Sequence, residues 1–253
     1  MKILIAKLKL HNFLTLSSSV GYSVIGGVTY TIYRPQPYLH NYALMYGFAG
    51  LLYASLASSA NPEHPNEIDY SFLEAIEKKI YAYPARPRHL VVKRMLCNVK
   101  SEGYAEPVQP HPKSMYPWHV AHVYFAPGSI FETVIIVKDD LIELPRTIRV
   151  GVKRQGVFKV EYTEAKIKDY IEGISDPINL GDVMRYGVKP DSYVLVLTTK
   201  TKRMGVPYSN YVVKGLYRSR ILAVIEGRIG GETIEFRLPM PRHKESGEKD
   251  EPV

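Results

Sequence analysis

Between residues 185 and 220 the chain sets Arg185, Lys189, Lys200, Lys202, Arg203, Lys214, Arg218 and Arg220 against one acid, Asp191, and threads Tyr186, Tyr193, Tyr208, Tyr211 and Tyr217 among them. Fixed positive charge interleaved with flat rings suits a single-stranded nucleic acid, with cations for phosphates and stacking faces for bases. A second candidate lies in IRVGVKRQGVFKVEY, residues 148–162, where Gly151, Lys153, Arg154, Gln155 and Gly156 join two apolar strands. Glycines let a backbone pass close to a ligand and expose its N–H groups, and Lys153 and Arg154 add charge at the same place. The spacing is not that of a nucleoside-triphosphate loop, and the same pattern also fits a plain charged hairpin turn.

Other basic residues are more ambiguous. Arg86, Arg88, Lys93, Arg94 and Lys100 cluster on one strand with no acid among them, which fits either RNA contact or an edge strand guarded by charge. Successive residues of a strand face opposite ways, so Lys93 and Arg94 cannot both serve one groove. Lys200, Lys202 and Arg203 sit in a loop before Gly205 and Pro207. Trp118, the only tryptophan, is a core ring or a wedge at a base step. His111, His119 and His122 crowd together, but no CxxC or HExxH pattern supports a metal. His11, His40 or His119 beside a Lys or Tyr would suit metal-independent RNA cleavage; nothing in the spacing fixes such a site. Cys97 lies among apolar neighbours and reads as inert.

These residues need a scaffold, and 253 residues with 45% hydrophobic composition can bury one without a staple. The net charge of +8 favours a polyanionic partner. The lone cysteine and an opening unlike a signal peptide lead us to expect a reducing cytoplasm. Residues 35–62 carry no Lys, Arg, Asp or Glu. Their tyrosines, serines and three- to four-residue apolar spacing favour a buried helix over a membrane span. Strands are expected at the N-terminus, in a hairpin at 22–33 split by Gly26 and Gly27, and at 89–99, 120–125, 130–137, 141–150 and 157–162. A short helix is expected at 72–80 and a helical turn at 165–171, before further strands at 193–199, 211–217, 221–225 and 233–238. The sum is a sheet-rich α+β protein. Residues 101–117, with Pro107, Pro110, Pro112 and Pro117, read as an extended excursion between two strands, and residues 241–253 as a disordered charged tail.

The opening KILIAKLKLHN, the segment YRPQPYLHNYALMYGF running into the uncharged helix, the loop VGVKRQG and the later SDPINLGDV together resemble the Csc-one subunit family of type I-D CRISPR Cascade, in the "Cas five" group of RAMP proteins. The resemblance implies a single RAMP-type domain over residues 1–240, a ferredoxin-like (RRM-like) sheet with one long helix, extended by β-hairpins. It implies that the excursion at 101–117, with Pro110, His111, Lys113 and the adjacent Trp118, acts as a thumb. It implies that the 5′ handle of a guide RNA lies against Tyr38, His40 and Asn41, the loop Gly151, Lys153, Arg154, Gln155 and Gly156, and the basic residues Arg94, Lys200, Lys202, Arg203 and Arg218. Implied partners are the large subunit and a backbone subunit of the complex and, indirectly, target DNA, with no cofactor, metal, membrane or catalysis. Two rival readings are a metal-independent endoribonuclease acting on precursor RNA and a protein–protein adaptor whose charge is incidental.

Overall fold

The computed structural model of the protein describes residues 1–15, 20–25, 28–33, 37–49, 71–98, 119–139, 142–151, 155–179, 212–213 and 218–240. The chain divides into two compact units, residues 1–163 and 164–253.

In the first unit an apolar strand, β1 (Lys2–Leu10), lies at the centre of an antiparallel sheet. On one side it pairs with β8 (Ile130–Val137), from Lys2 opposite Val137 to Lys9 opposite Ile130. On the other it meets the start of β10 (Gly156–Ile174). β8 also pairs with β4 (Ile80–Ala82) and β5 (Arg86–His89), and β10 with β9 (Thr147–Val150). The order is therefore β10-β1-β8-β4. Two helices, α1 (Asn41–Ala49) and α2 (Ser71–Glu77), lie between β1 and β4 in the chain. Leu8 stands opposite Phe131, whose ring meets Phe125 at 5.3 Å and Phe158 at 6.0 Å. All four side chains are buried, each worth about 1.5–3 kcal/mol of removed apolar surface. A second sheet, in the order β2-β3-β7-β6, comprises β2 (Val20–Ile25), β3 (Val28–Tyr33), β7 (His119–Phe125) and β6 (Val92–Asn98). Its β3–β7 pairing is parallel and its other pairings are antiparallel.

In the second unit the rest of β10 pairs with β13 (Arg218–Ile229), and β13 with β14 (Glu232–Leu238). Gly230 and Gly231, at φ of 61° and 85°, close the β13–β14 hairpin. Positive φ at both central residues is what a two-residue turn matched to strand twist requires. β11 (Ile178–Asn179) pairs with β12 (Val212–Val213).

The sheet-rich α+β expectation holds, and so does the hairpin split at Gly26 and Gly27. Three local expectations do not. Residues 165–171 are strand, not a helical turn, because they complete the ladder with β13. The helix beginning near Ser71 stops at Glu77, and Ile80 opens β4 opposite Val137. Of the described residues in 141–150, only Thr147–Val150 are strand; Pro145, which has no N–H to donate, precedes them. No helix among the described residues is long and apolar enough to cross a membrane. The buried helix expected within residues 35–62 falls partly outside the described residues, and the excursion at 101–117, the strand at 193–199 and the tail lie wholly outside them.

Candidate nucleic-acid interface

β9 and β10 form a hairpin whose last ladder pair is Val150 with Gly156, which leaves residues 151–155 as the connecting loop. Gly151 has φ of +95°, a region that residues with a Cβ rarely adopt. Residues 11–15, continuing from β1, fasten this loop. The His11 N–H donates to the Val157 carbonyl at 2.9 Å, and the Val157 N–H donates to Asn12 Oδ1 at 2.7 Å. Asn12 Nδ2 donates to the Gln155 carbonyl, and Thr15 Oγ1 to Gln155 Oε1 at 3.0 Å. Leu14 is tied on its other side to Phe125 by two backbone bonds, 2.8 and 3.0 Å.

The fastening explains the glycines. A Cβ on Gly151 would collide with Leu14 Cδ1, and one on Gly156 would lie 2.6 Å from the same atom and 2.8 Å from the Val150 carbonyl oxygen. The close approach these glycines permit is thus to Leu14, a fully buried residue of the same chain.

At the start of α1, Leu39 and Ala85 exchange backbone bonds of 3.0 and 2.9 Å. His40 caps the helix: its Nδ1 accepts from the Tyr42 N–H at 3.2 Å, and its carbonyl from the Leu44 N–H at 3.2 Å. Asn41 is buried and donates through Nδ2 to the Tyr81 hydroxyl at 3.3 Å, so its side chain is committed to the core. Tyr38 and His40 are half-buried, and burial pushes the Tyr38 phenol above its ordinary pKa.

The structure therefore brings Gly151, Gln155 and Gly156 together, and separately Tyr38, His40 and Asn41. Arg94 lies in β6 opposite Val123. Arg218 is a strand residue, not a loop residue: it opens β13 in the second unit, opposite Ile174. Lys153, Arg154, Lys200, Lys202, Arg203, Pro110, His111, Lys113 and Trp118 lie outside the described residues. Among the described residues no group of three or more His, Cys, Asp or Glu is placed to hold a metal. Sequence reading missed Asn12, Leu14 and Thr15, which hold the loop. A polar Asn directly after an apolar strand was the available signal. It also missed Phe13, about half exposed at 49%, which rests edge-on against Tyr124 at 5.9 Å and leaves an aromatic surface beside the fastened segment.

The described residues thus define a sheet-rich α+β protein in which residues 11–15 fasten the described ends of the β9–β10 hairpin. The chain belongs to the family described as type I-D CRISPR-associated protein Cas5/Csc1, whose model matches residues 1–204. No curated protein matches the chain.

Proposed function

We propose that this protein is a non-catalytic subunit of a type I-D CRISPR effector complex that grips the 5′ handle of the guide RNA and caps the complex beside its large subunit. The observation that carries this reading is the pinned loop. Asn12, Leu14 and Thr15 fasten Gly151, Gln155 and Gly156, the described residues that flank Lys153 and Arg154 in the sequence. Family membership and the net charge of +8 support it. A ferredoxin-like core is part of the same proposal. Counting β1, β4, β8 and β10 as its four strands, the antiparallel order β10-β1-β8-β4 reads fourth, first, third, second, with the helices between the first and second. In this reading the proline-rich excursion at 101–117 acts as the thumb, and contact with target DNA is indirect.

Joint replacement of Lys153 and Arg154 by Gln tests the proposal in a titration against handle RNA at several salt concentrations. Affinity falls and the salt slope drops by about one to two units, since each single-strand phosphate contact contributes roughly 0.7. An adaptor with incidental charge leaves both unchanged. The same protein incubated with labelled repeat RNA leaves it uncut; metal-independent cutting lost in His40→Ala or His119→Ala overturns the non-catalytic assignment.

A further inference from the structure

The faces of the first unit's central sheet follow from its contacts. Leu8 stands opposite Phe131, and Phe131 meets Phe158, so these three buried side chains share one face. Alternation along the strands places Lys7, Lys9, Glu132 and Lys159 on the other. β10 begins where β1 ends, so the two run antiparallel. With the His11 N–H bonded to the Val157 carbonyl, two residues back along each strand brings Lys9 beside Lys159. Arg149 is paired with Val157 and so belongs to this same face. Lys9, Arg149 and Lys159 are all exposed. Spread over the adjacent strands β9, β10 and β1, they span about 10 Å at the usual strand spacing.

Like charges side by side across a ladder destabilise a sheet. Of the nearby acids, buried Glu132 lies 3.4 Å from Arg86 and 3.9 Å from Arg88, and exposed Glu161, opposite Lys7 by the same register, offsets one of the charges on this face. None of Lys9, Arg149 and Lys159 makes an ion pair with another described residue. The cluster also adjoins the pinned loop: Arg149 lies two residues before Gly151, and its partner Val157 two residues after Gln155. We propose that Lys9, Arg149 and Lys159 form a phosphate track that carries the backbone of single-stranded RNA from the loop across the exposed end of this face of the sheet. This rests on the RNA-binding reading above and extends it, because these three residues are not among those that reading assigns.

The test compares wild type, Lys9→Gln/Arg149→Gln/Lys159→Gln, and the charge-keeping Lys9→Arg/Lys159→Arg, titrated with a short handle RNA and with the same RNA lengthened by roughly eight nucleotides, within the span one sheet-based binding surface covers. The triple variant binds the short RNA as wild type does and loses the gain from lengthening. Its salt slope on the long RNA falls by about two units, so a fourfold rise in salt costs wild type roughly sixteen-fold more affinity than it costs the variant. The charge-keeping variant matches wild type. An unchanged slope and affinity for the long RNA in the triple variant overturns the track while leaving loop binding intact. Failure of wild type to bind even the short RNA overturns the underlying reading, and the track with it.

Discussion

Replacing Gly151 by alanine separates two explanations of the same glycine. If it exists to fit Leu14, the substitution strikes stability; if it exists to admit a ligand, it strikes affinity. At φ of +95° an alanine is strained by about 1–2 kcal/mol, and its Cβ meets Leu14 Cδ1, with the Thr15 carbonyl oxygen 3.1 Å away. Overpacking of this kind adds about 1–3 kcal/mol, for a total of roughly 2–5 kcal/mol. Leu14→Ala alone empties a fully buried site and costs about 2–5 kcal/mol. Combined, the two changes relieve the overlap, so the double variant falls short of the sum by about 1–3 kcal/mol. Gly156→Ala responds less to Leu14→Ala, because its Cβ also lies 2.8 Å from the Val150 carbonyl oxygen, a backbone atom that cannot turn aside. Urea unfolding of the four proteins in each cycle, read at constant m, measures these couplings. Additivity at Gly151 within about 0.5 kcal/mol, or a Gly151→Ala protein of wild-type stability that has lost handle RNA, refutes the packing explanation.

Asn12→Ala removes the two side-chain bonds that Asn12 makes, to the Gln155 carbonyl and from the Val157 N–H, and costs about 1–3 kcal/mol by urea unfolding. It weakens handle RNA binding while leaving the salt slope unchanged, since no cation is lost; a reduced slope contradicts a purely positioning role. Tyr162 donates to the Pro145 carbonyl at 2.6 Å beside Phe48, and burial pushes its phenol well above the ordinary tyrosine range. The unfolded chain ionises this phenol near pH 10 while the folded one holds its proton. Its contribution to stability is therefore complete below about pH 10 and is lost as pH rises further. Tyr162→Phe loses about 1 kcal/mol at neutral pH yet declines less steeply from pH 10 to 11, and parallel stability curves across that window refute the assignment.

What the sequence made legible was set by local pattern, and what it hid was set by distant partners. β8 occupies Ile130–Val137 as expected, because a branched, nearly continuous apolar run between turn residues has few alternatives. β10 misled for a definite reason. Its ladder with β13 slips between Ile167 and Asp169 and again between Ile171 and Gly173, and such irregularities break the two-residue alternation. Ile167 and Ile171 are thereby left at a four-residue spacing that imitates a helix. Ile80 misled in the same way, repeating with Ile76 at helical spacing although the backbone turns at Lys79, whose N–H donates to the Ile76 carbonyl at 2.9 Å. The glycine loop was found as a feature but not as a contact. Nothing near residue 151 announces Leu14, well over a hundred residues earlier in the chain.

That contact changes how the loop can hold a phosphate. A glycine-rich turn suggests anion binding through exposed backbone N–H groups, yet the Val157 N–H is taken by Asn12 and the glycines are spent on admitting Leu14. On the proposed reading the Lys153 and Arg154 charges supply attraction at the loop, and they pull on any phosphate with little regard to geometry. A site of that kind is strongly salt-dependent and indifferent to sequence. Phe13, half exposed against Tyr124 within the fastened segment, offers on the same reading a ring for base stacking, a contact open to every base. On the proposed reading Lys153 and Arg154 supply charge and Phe13 a stacking face, so removing the cations lowers affinity and salt slope for every RNA, whereas removing the Phe13 ring lowers affinity for every RNA and leaves the salt slope unchanged.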